Sequence, residues 1–229
     1  MVIRNKTTFD PYSVGDFRVR DAFWMAKISW REHRSAFIFL GLLASLPTLV
    51  GFWWAPPWLC ALVACASLII LAGLVGPMVA RQARGLNTDF RQAGNMLFAR
   101  LAHLVIVGGL IVGIVQGLAL LFGMYESALS YVGLFLGALC VGPLLLAVPV
   151  IVIENLGLIR SLRRGFFLVK GRVVRATLLL AFGVVGAVLP GALASVAPVA
   201  AGCLLVVQPL ILSWCSICVG ALYTSLYDH

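Results

Sequence analysis

The densest group of charged side chains lies in the stretch ENLGLIRSLRRGFFLVKGRVVR, from Glu154 to Arg175. Cations near a membrane attract anionic phosphate headgroups, and a neighbouring carboxylate can form an ion pair with them. We therefore predict that this stretch binds anionic lipid or a partner protein, with Glu154 and Asn155 as a hinge or ion pair. The cations predicted to bind are Arg160, Arg163, Arg164, Lys170, Arg172 and Arg175.

Glu154 has two interpretations. In the first, it pairs with Arg160 or Arg163 and fixes the helix that carries them. In the second, it gates or coordinates a ligand, because an ionisable residue close to the bilayer is costly and often functional.

Other residues that could do chemistry form no catalytic constellation. The three histidines, at positions 33, 103 and 229, lack metal-ligand spacing. Cys215 and Cys218 have CxxC spacing, but no cation or histidine stands nearby to favour a thiolate. A nucleophile elbow and a phosphate-binding glycine loop are also missing from the sequence. We expect no enzyme activity, cofactor or metal, and pairing of Cys60 with Cys203 stays open.

The composition indicates what positions these residues. Of the 229 residues, 62% are hydrophobic and 11% charged, and the mean hydropathy is +1.06. A soluble domain carries about 25% charged residues. Continuous apolar runs of about 20 residues are long enough to cross the roughly 30 Å hydrocarbon core, and they favour helices over barrel strands. The sequence predicts an all-α integral membrane protein.

We predict one membrane domain, residues 1–229, with six transmembrane helices arranged as three hairpins. Residues 1–34 read as a cytoplasmic tail and an amphipathic helix, and the first span would act as the targeting signal. Pro47 predicts a kink in that span. The spans are expected at about 35–54, 58–80, 101–122, 130–153, 173–196 and 199–222.

The distribution of cations predicts the orientation. All 17 lysines and arginines lie before the first span, within 81–100 or within 160–175, and the net charge is +9. Positively charged connections stay in the cytoplasm, so both termini and all three basic segments are predicted there. Because the cations flank apolar spans, anionic lipid is favoured over nucleic acid as their partner.

The chain also carries a weak internal repeat. Asp16-Phe17-Arg18 and Asp89-Phe90-Arg91 are 73 residues apart, and Leu158-Ile159-Arg160 follows 69 residues later. The repeated unit is a basic amphipathic helix followed by two spans, which predicts a pseudo-threefold arrangement with a cytoplasmic collar. In the third amphipathic helix, the predicted apolar face is Leu158, Leu162, Phe166 and Val169.

Small and polar residues inside the spans predict helix packing. Gly109, Gly113 and Gly117 share one face of the third span. Such a face allows close approach, here to the fourth span, with a homodimer seam as the alternative. Gln116 and Gln208 are expected to form interhelical hydrogen bonds, with substrate binding as the alternative.

The segment from Val148 to Arg172 resembles the membrane domain of bacterial glycerophosphoryl diester phosphodiesterases and related uncharacterised inner-membrane proteins. The shared features are an apolar helix ending in Glu-Asn, a Ser-Leu-Arg-Arg helix and a Lys-Gly-Arg sequence before the next span. The helix 17–34 and the ending 221–227 are similar too. The resemblance implies a six-span fold in the bacterial inner membrane. It does not imply phosphodiesterase activity, which in that family belongs to a separate soluble domain.

These features together favour a non-enzymatic polytopic inner-membrane protein with an accessory or membrane-organising role. Its basic collar would bind anionic lipid or a partner protein. The alternative is a permease or export component that moves a lipid or small amphiphile between the hairpins. In that case the proline-containing spans would act as gates.

Overall fold

The computed structural model describes residues 19–52, 54, 57–86, 90–123, 129–169, 173–193 and 198–227. Within these residues all regular structure is α-helical. Apolar runs form the long helices, and basic amphipathic sequences form two short ones. The helices are α1 (Val19–Phe52), α2 (Pro57–Ala83), α3 (Phe90–Ala99), α4 (Leu101–Gly123), α5 (Leu129–Ile153), α6 (Leu158–Val169), α7 (Val173–Leu193) and α8 (Pro198–Tyr227).

Five of the described helices, α1, α2, α4, α5 and α8, are long and apolar enough to cross a membrane. Their apolar segments have 22 to 31 residues, and 22 residues at 1.5 Å each reach about 33 Å. The chain is therefore a multi-pass α-helical membrane protein, as its composition predicted. Helix α7 has 21 residues, and its described apolar run, Leu180–Pro190, is shorter.

The long helices agree with the prediction at one boundary and differ from it at another. In α1 the backbone leaves helical geometry at His33 (φ −124°, ψ 25°), close to the predicted boundary between the amphipathic part and the apolar part. Pro47 lies within the helix, and the kink there stays a prediction. Helix α8 continues to Tyr227, beyond its predicted end at 222, because residues 223–226 are buried against the rest of the bundle.

Helices α2, α5 and α8 form the centre of the bundle and meet near their C-terminal ends. A Cβ atom added at Gly220 would lie 2.9 Å from the Cα of Gly76, and one added at Gly76 would lie 3.3 Å from the Cβ of Pro149. Small residues allow such close backbone approach between membrane helices. Around this crossing, Leu146 and Tyr223 are completely buried.

The other helices surround these three. Helix α1 packs on α8 and α2, α4 packs mainly on α5, and α7 packs on α5, α8 and α2. Among the short helices, α3 lies on α2 and α6 lies on α5. The first part of α1 lies beside α8, since the rings of Phe23 and Trp30 are each 5.9 Å from that of Trp214. We call residues 19–33 of α1, together with α3 and α6, the basic collar, and the end of the bundle that carries it the basic end.

Candidate functional site

The turn between α5 and α6 sets the position of the predicted binding helix. Asn155 adopts a left-handed conformation (φ 56°), which asparagine tolerates better than most residues. After this turn, Ser161 donates its backbone N–H to the carbonyl of Gly157 at 2.9 Å. Helix α6 then runs back along α5, where a Cβ added at Gly165 would lie 3.2 Å from the nitrogen of Ala147.

Glu154 joins three helices at the basic end. Its Oε1 accepts a hydrogen bond from the Tyr223 hydroxyl at 3.0 Å, and its Oε2 lies 3.7 Å from Nε of Arg164. The Glu154 side chain is 16% exposed and that of Arg164 is 38% exposed. Solvent therefore screens the ion pair more than the hydrogen bond. This arrangement tethers α6 and the end of α8 to α5.

The predicted partners of Glu154, Arg160 and Arg163, are wrong. The stripe of α6 that packs on α5 contains the buried residues Ser161 and Gly165. Arg164 precedes Gly165 at the edge of this stripe, within reach of Glu154. Arg160 and Arg163 are exposed instead.

Asn155 has a second role besides the turn. Its side-chain oxygen accepts a hydrogen bond from Nη2 of Arg100, and its carbonyl oxygen lies 3.5 Å from the same atom. Arg100 stands between α3 and α4. The predicted hinge residues thus connect α5 with the neighbouring basic segment as well as with α6.

The outer face of α6 combines cations with large apolar side chains. Arg160 and Arg163 are exposed beside Ile159, Phe166 and Phe167, whose exposed fractions are 80%, 52% and 62%. Of the predicted apolar face, Leu158 and Leu162 are partly buried against the bundle, Phe166 is exposed, and the side chain of Val169 lies outside the described residues. A helix with exposed apolar residues and arginines is typical of the membrane interface, where the cations can reach headgroups.

A second polar cluster holds the first part of α1. The Ser29 hydroxyl donates to Oε1 of Gln82 at 2.6 Å, and Nε2 of Gln82 donates to Glu32. Next to it, Arg81 donates to Gln92. These contacts join α1, the end of α2 and α3, so polar contacts connect each collar segment to the central helices, through an ion pair in the case of α6.

The remaining predicted cations cannot be placed in this surface. Lys170 and Arg172 lie outside the described residues, as does the side chain of Arg175, whose backbone is in α7. Their part in lipid or partner binding stays a prediction.

The predicted close packing of α4 on α5 is confirmed, but the predicted glycines of α4 do not make it. Cβ atoms added at Gly109, Gly113 or Gly117 would meet nothing within 4 Å, because α4 turns its other face towards the bundle. Glycines of α5 make the close approach instead: a Cβ added at Gly137 would lie 2.8 Å from the Cα of Val115. The homodimer seam stays a prediction.

The structure shows where the predicted polar residues and cysteines of the spans lie, and it gives one of the two glutamines a partner. Nε2 of buried Gln208 donates to the carbonyl of Ala187 at 3.1 Å, which confirms an interhelical hydrogen bond between α8 and α7. Gln116 is partly buried on α4. None of the six cysteines, all of which are described, forms a disulfide, so Cys60 and Cys203 are not paired with each other.

A groove between α2 and α4 was not predicted from the sequence. It has a volume of about 380 Å³, and its wall is apolar apart from backbone. We call it the α2–α4 groove. It is lined by Leu62, Ala66, Ile69 and Ile70 of α2 and by Leu101, Leu104, Val105, Gly108, Gly109, Val112 and Gly113 of α4.

Sequence reasoning also missed three polar residues of the basic end, namely Tyr223, Arg100 and Gln82. The apolar spacing of Cys218, Leu222 and Leu226 could have indicated that α8 continues past 222 and carries Tyr223 inward. The partners of Arg100 and Gln82 are about 50 residues away, and local periodicity carries no signal for such pairs.

The fold and these surfaces define a class: a multi-pass α-helical membrane protein with basic helices packed around one end. Comparisons of the chain with protein-family models, with curated proteins and with solved structures gave no match.

Proposed function

We propose that this chain is a non-enzymatic, membrane-organising protein of the bacterial inner membrane whose basic collar binds anionic phospholipid headgroups. The observation that carries the proposal is the outer face of α6. There, exposed Arg160 and Arg163 stand beside exposed Ile159, Phe166 and Phe167. The apolar side chains would enter the acyl region while the guanidinium groups bind phosphate.

The same proposal makes α7 a sixth span and the three hairpins pseudo-threefold repeats. Two observations support the repeat. Each of α3 and α6 packs on the long helix that precedes it. The central crossing joins positions 76, 149 and 220, which recur along the chain at intervals similar to those of the sequence repeat. The resemblance to the phosphodiesterase membrane domain and related inner-membrane proteins agrees with six spans.

In this proposal the basic end faces the cytoplasm, with both termini on that side. A C-terminal fusion to alkaline phosphatase, which is active only outside the cytoplasm, should give inactive enzyme. A fusion to a cytoplasmic fluorescent reporter should be bright. High phosphatase activity would contradict the proposed orientation.

Charge reversal on α6 tests headgroup binding. Each cation near an anionic surface contributes about 1 kcal/mol, so reversing two should weaken binding of phosphatidylglycerol by at least about 10-fold. The variant is R160E/R163E, and native mass spectrometry of protein titrated with phosphatidylglycerol measures its affinity. Arg164 is left in place because it pairs with Glu154.

Two controls make this experiment specific. R160K/R163K keeps both charges and should bind phosphatidylglycerol like the unmodified protein. Phosphatidylcholine, which has no net charge, should bind all variants alike. If R160E/R163E keeps its affinity for phosphatidylglycerol and instead loses a stoichiometric protein that co-purifies with the unmodified chain, the collar binds a partner and not lipid.

The open side of the α2–α4 groove favours a second candidate, a permease or export component for a lipid or small amphiphile. Several long helices contain prolines at which they could bend, including Pro77 in α2. Flux of a fluorescent short-chain phospholipid across proteoliposomes tests this function. Transfer above that of protein-free liposomes would support the permease and contradict a purely organising role.

A further inference from the structure

We infer that the α2–α4 groove is a specific binding site for one acyl chain of an anionic phospholipid. The site goes beyond the proposed function because it lies on α2 and α4, whereas the proposed headgroup binding involves the outer face of α6. Its wall, volume, floor and charged neighbourhood all agree with this ligand.

The groove lies within the apolar part of the helices, and this position requires an apolar occupant. All its lining residues belong to the two apolar segments Leu62–Ala83 and Leu101–Phe122. The hydrocarbon core contains no water that could fill the space. A volume of about 380 Å³ is within the roughly 300–1,000 Å³ typical of small-ligand sites.

The groove has a floor, unlike the ordinary lipid-facing surface of a helix. At the floor, a Cβ added at Gly108 would lie 3.2 Å from Cδ1 of Ile69. Towards the basic end, one added at Gly73 would lie 2.6 Å from Leu97 and 3.4 Å from Leu104. The open wall includes Gly109 and Gly113, so a bound chain would lie directly against helix backbone.

Charge complementarity favours a lipid over a second copy of this chain. Arg100 immediately precedes Leu101, which lines the groove, and Arg81 and Arg84 lie at the same end of α2. A phosphate at this end would meet opposite charge. A twofold dimer built on the same groove would bring the two basic ends side by side, with like charges facing each other.

Filling the groove tests the site. The variant G109L/G113L puts two large side chains into it, and the space within 4 Å of each Cβ is empty, so helix packing is preserved. Gly117→Leu is the matched control, because Gly117 is equally unobstructed but does not line the groove. Ala66→Leu fills the groove from α2 and serves as an independent second variant.

The probe is phosphatidylglycerol with a diazirine near the end of one acyl chain, incorporated into phosphatidylcholine nanodiscs. After illumination, mass spectrometry maps the labelled residues, and thermal unfolding confirms that each variant is folded. We expect labelling concentrated on residues 62–70 and 101–113. G109L/G113L and A66L should lose most of this labelling, and G117L should keep it.

Three results would overturn the inference. One is labelling spread evenly over all lipid-facing helices, and another is groove labelling unchanged in both filling variants. The third is cross-linking of two copies through α4, which would assign the groove to a dimer. R160E/R163E separates this site from the proposed function, because it should weaken headgroup binding and leave groove labelling intact.

Discussion

Glycine has opposite roles at the contact of α1 with α8 and in the groove between α2 and α4. At the first contact, a Cβ added at Gly41 would collide with the backbone of Pro209 and with the Ser213 hydroxyl, which itself donates to the carbonyl of Phe37 at 2.6 Å. In the groove, Gly109 and Gly113 have empty space around the same position. Glycine permits close packing of membrane helices, but the face on which it lies decides whether packing occurs.

A third helix pair resembles the closed contact. A Cβ added at Gly142 of α5 would lie 3.0 to 3.2 Å from atoms of Thr177 in α7. In the proposed threefold arrangement the pairs α1–α8, α4–α2 and α7–α5 are equivalent. In each pair, the first long helix of one hairpin lies beside the last helix of another hairpin. Two of the pairs are closed and one is open, so the α2–α4 groove is a departure from symmetry. Such departures are where a repeated fold can acquire a binding site.

The largest effect is expected from Gly41→Leu. Overpacking typically costs about 1–3 kcal/mol, and here the obstacle is backbone, which cannot rotate away. Unfolding in detergent, followed by circular dichroism, should show a loss at or above the top of that range. A variant as stable as the unmodified protein would contradict the close contact of α1 with α8.

Glu154→Ala should cost about 2 kcal/mol, because it removes the acceptor of a charge-assisted hydrogen bond at the end of α8. The partly exposed ion pair with Arg164 should contribute less. Glu154→Gln keeps an oxygen for Tyr223 and is the matched control, with an expected loss of about 1 kcal/mol or less. Equal losses in the two variants would show that the ion pair dominates.

Ser213→Ala should have a smaller effect, about 0.6 kcal/mol and at most about 1.7 kcal/mol, the range measured for interhelical hydrogen bonds in membranes. It removes the bond from α8 to the Phe37 carbonyl of α1. Ser216→Ala is the control, because the Ser216 hydroxyl donates to Leu212 within α8 itself. A larger loss for Ser216→Ala in the same unfolding experiment would contradict the role given to Ser213.

The same comparison shows what the sequence could and could not predict. Hydropathy located α4 and α5 to within a residue, since a span is a local property of about 20 residues. The spacing of Gly109, Gly113 and Gly117 correctly placed them on one face of a helix but did not say which neighbour that face would meet. Rotation of a helix about its axis depends on contacts with distant segments.

The same distinction between local sequence and distant contacts applies at the basic end. The local sequence indicated the Glu-Asn turn and the basic helix after it. Arg164 was missed as the partner of Glu154, however, because the choice among three nearby arginines depends on the Ser161 and Gly165 stripe that packs on α5. Tyr223 was missed because its bond to Glu154 joins residues 69 positions apart.

The smallest effect on stability is expected from Gly109→Leu, the counterpart of Gly41→Leu. In detergent free of phospholipid, the new side chain meets no neighbour. Leucine is favoured over glycine in a helix by up to about 1 kcal/mol, so stability should be unchanged or slightly higher.

Added phosphatidylglycerol should raise the melting temperature of the unmodified protein more than that of G109L/G113L, because a ligand raises the melting temperature only of a folded protein that binds it. If Gly109→Leu instead destabilises the protein as much as Gly41→Leu, then α4 packs closely on α2, and the groove is not open to lipid.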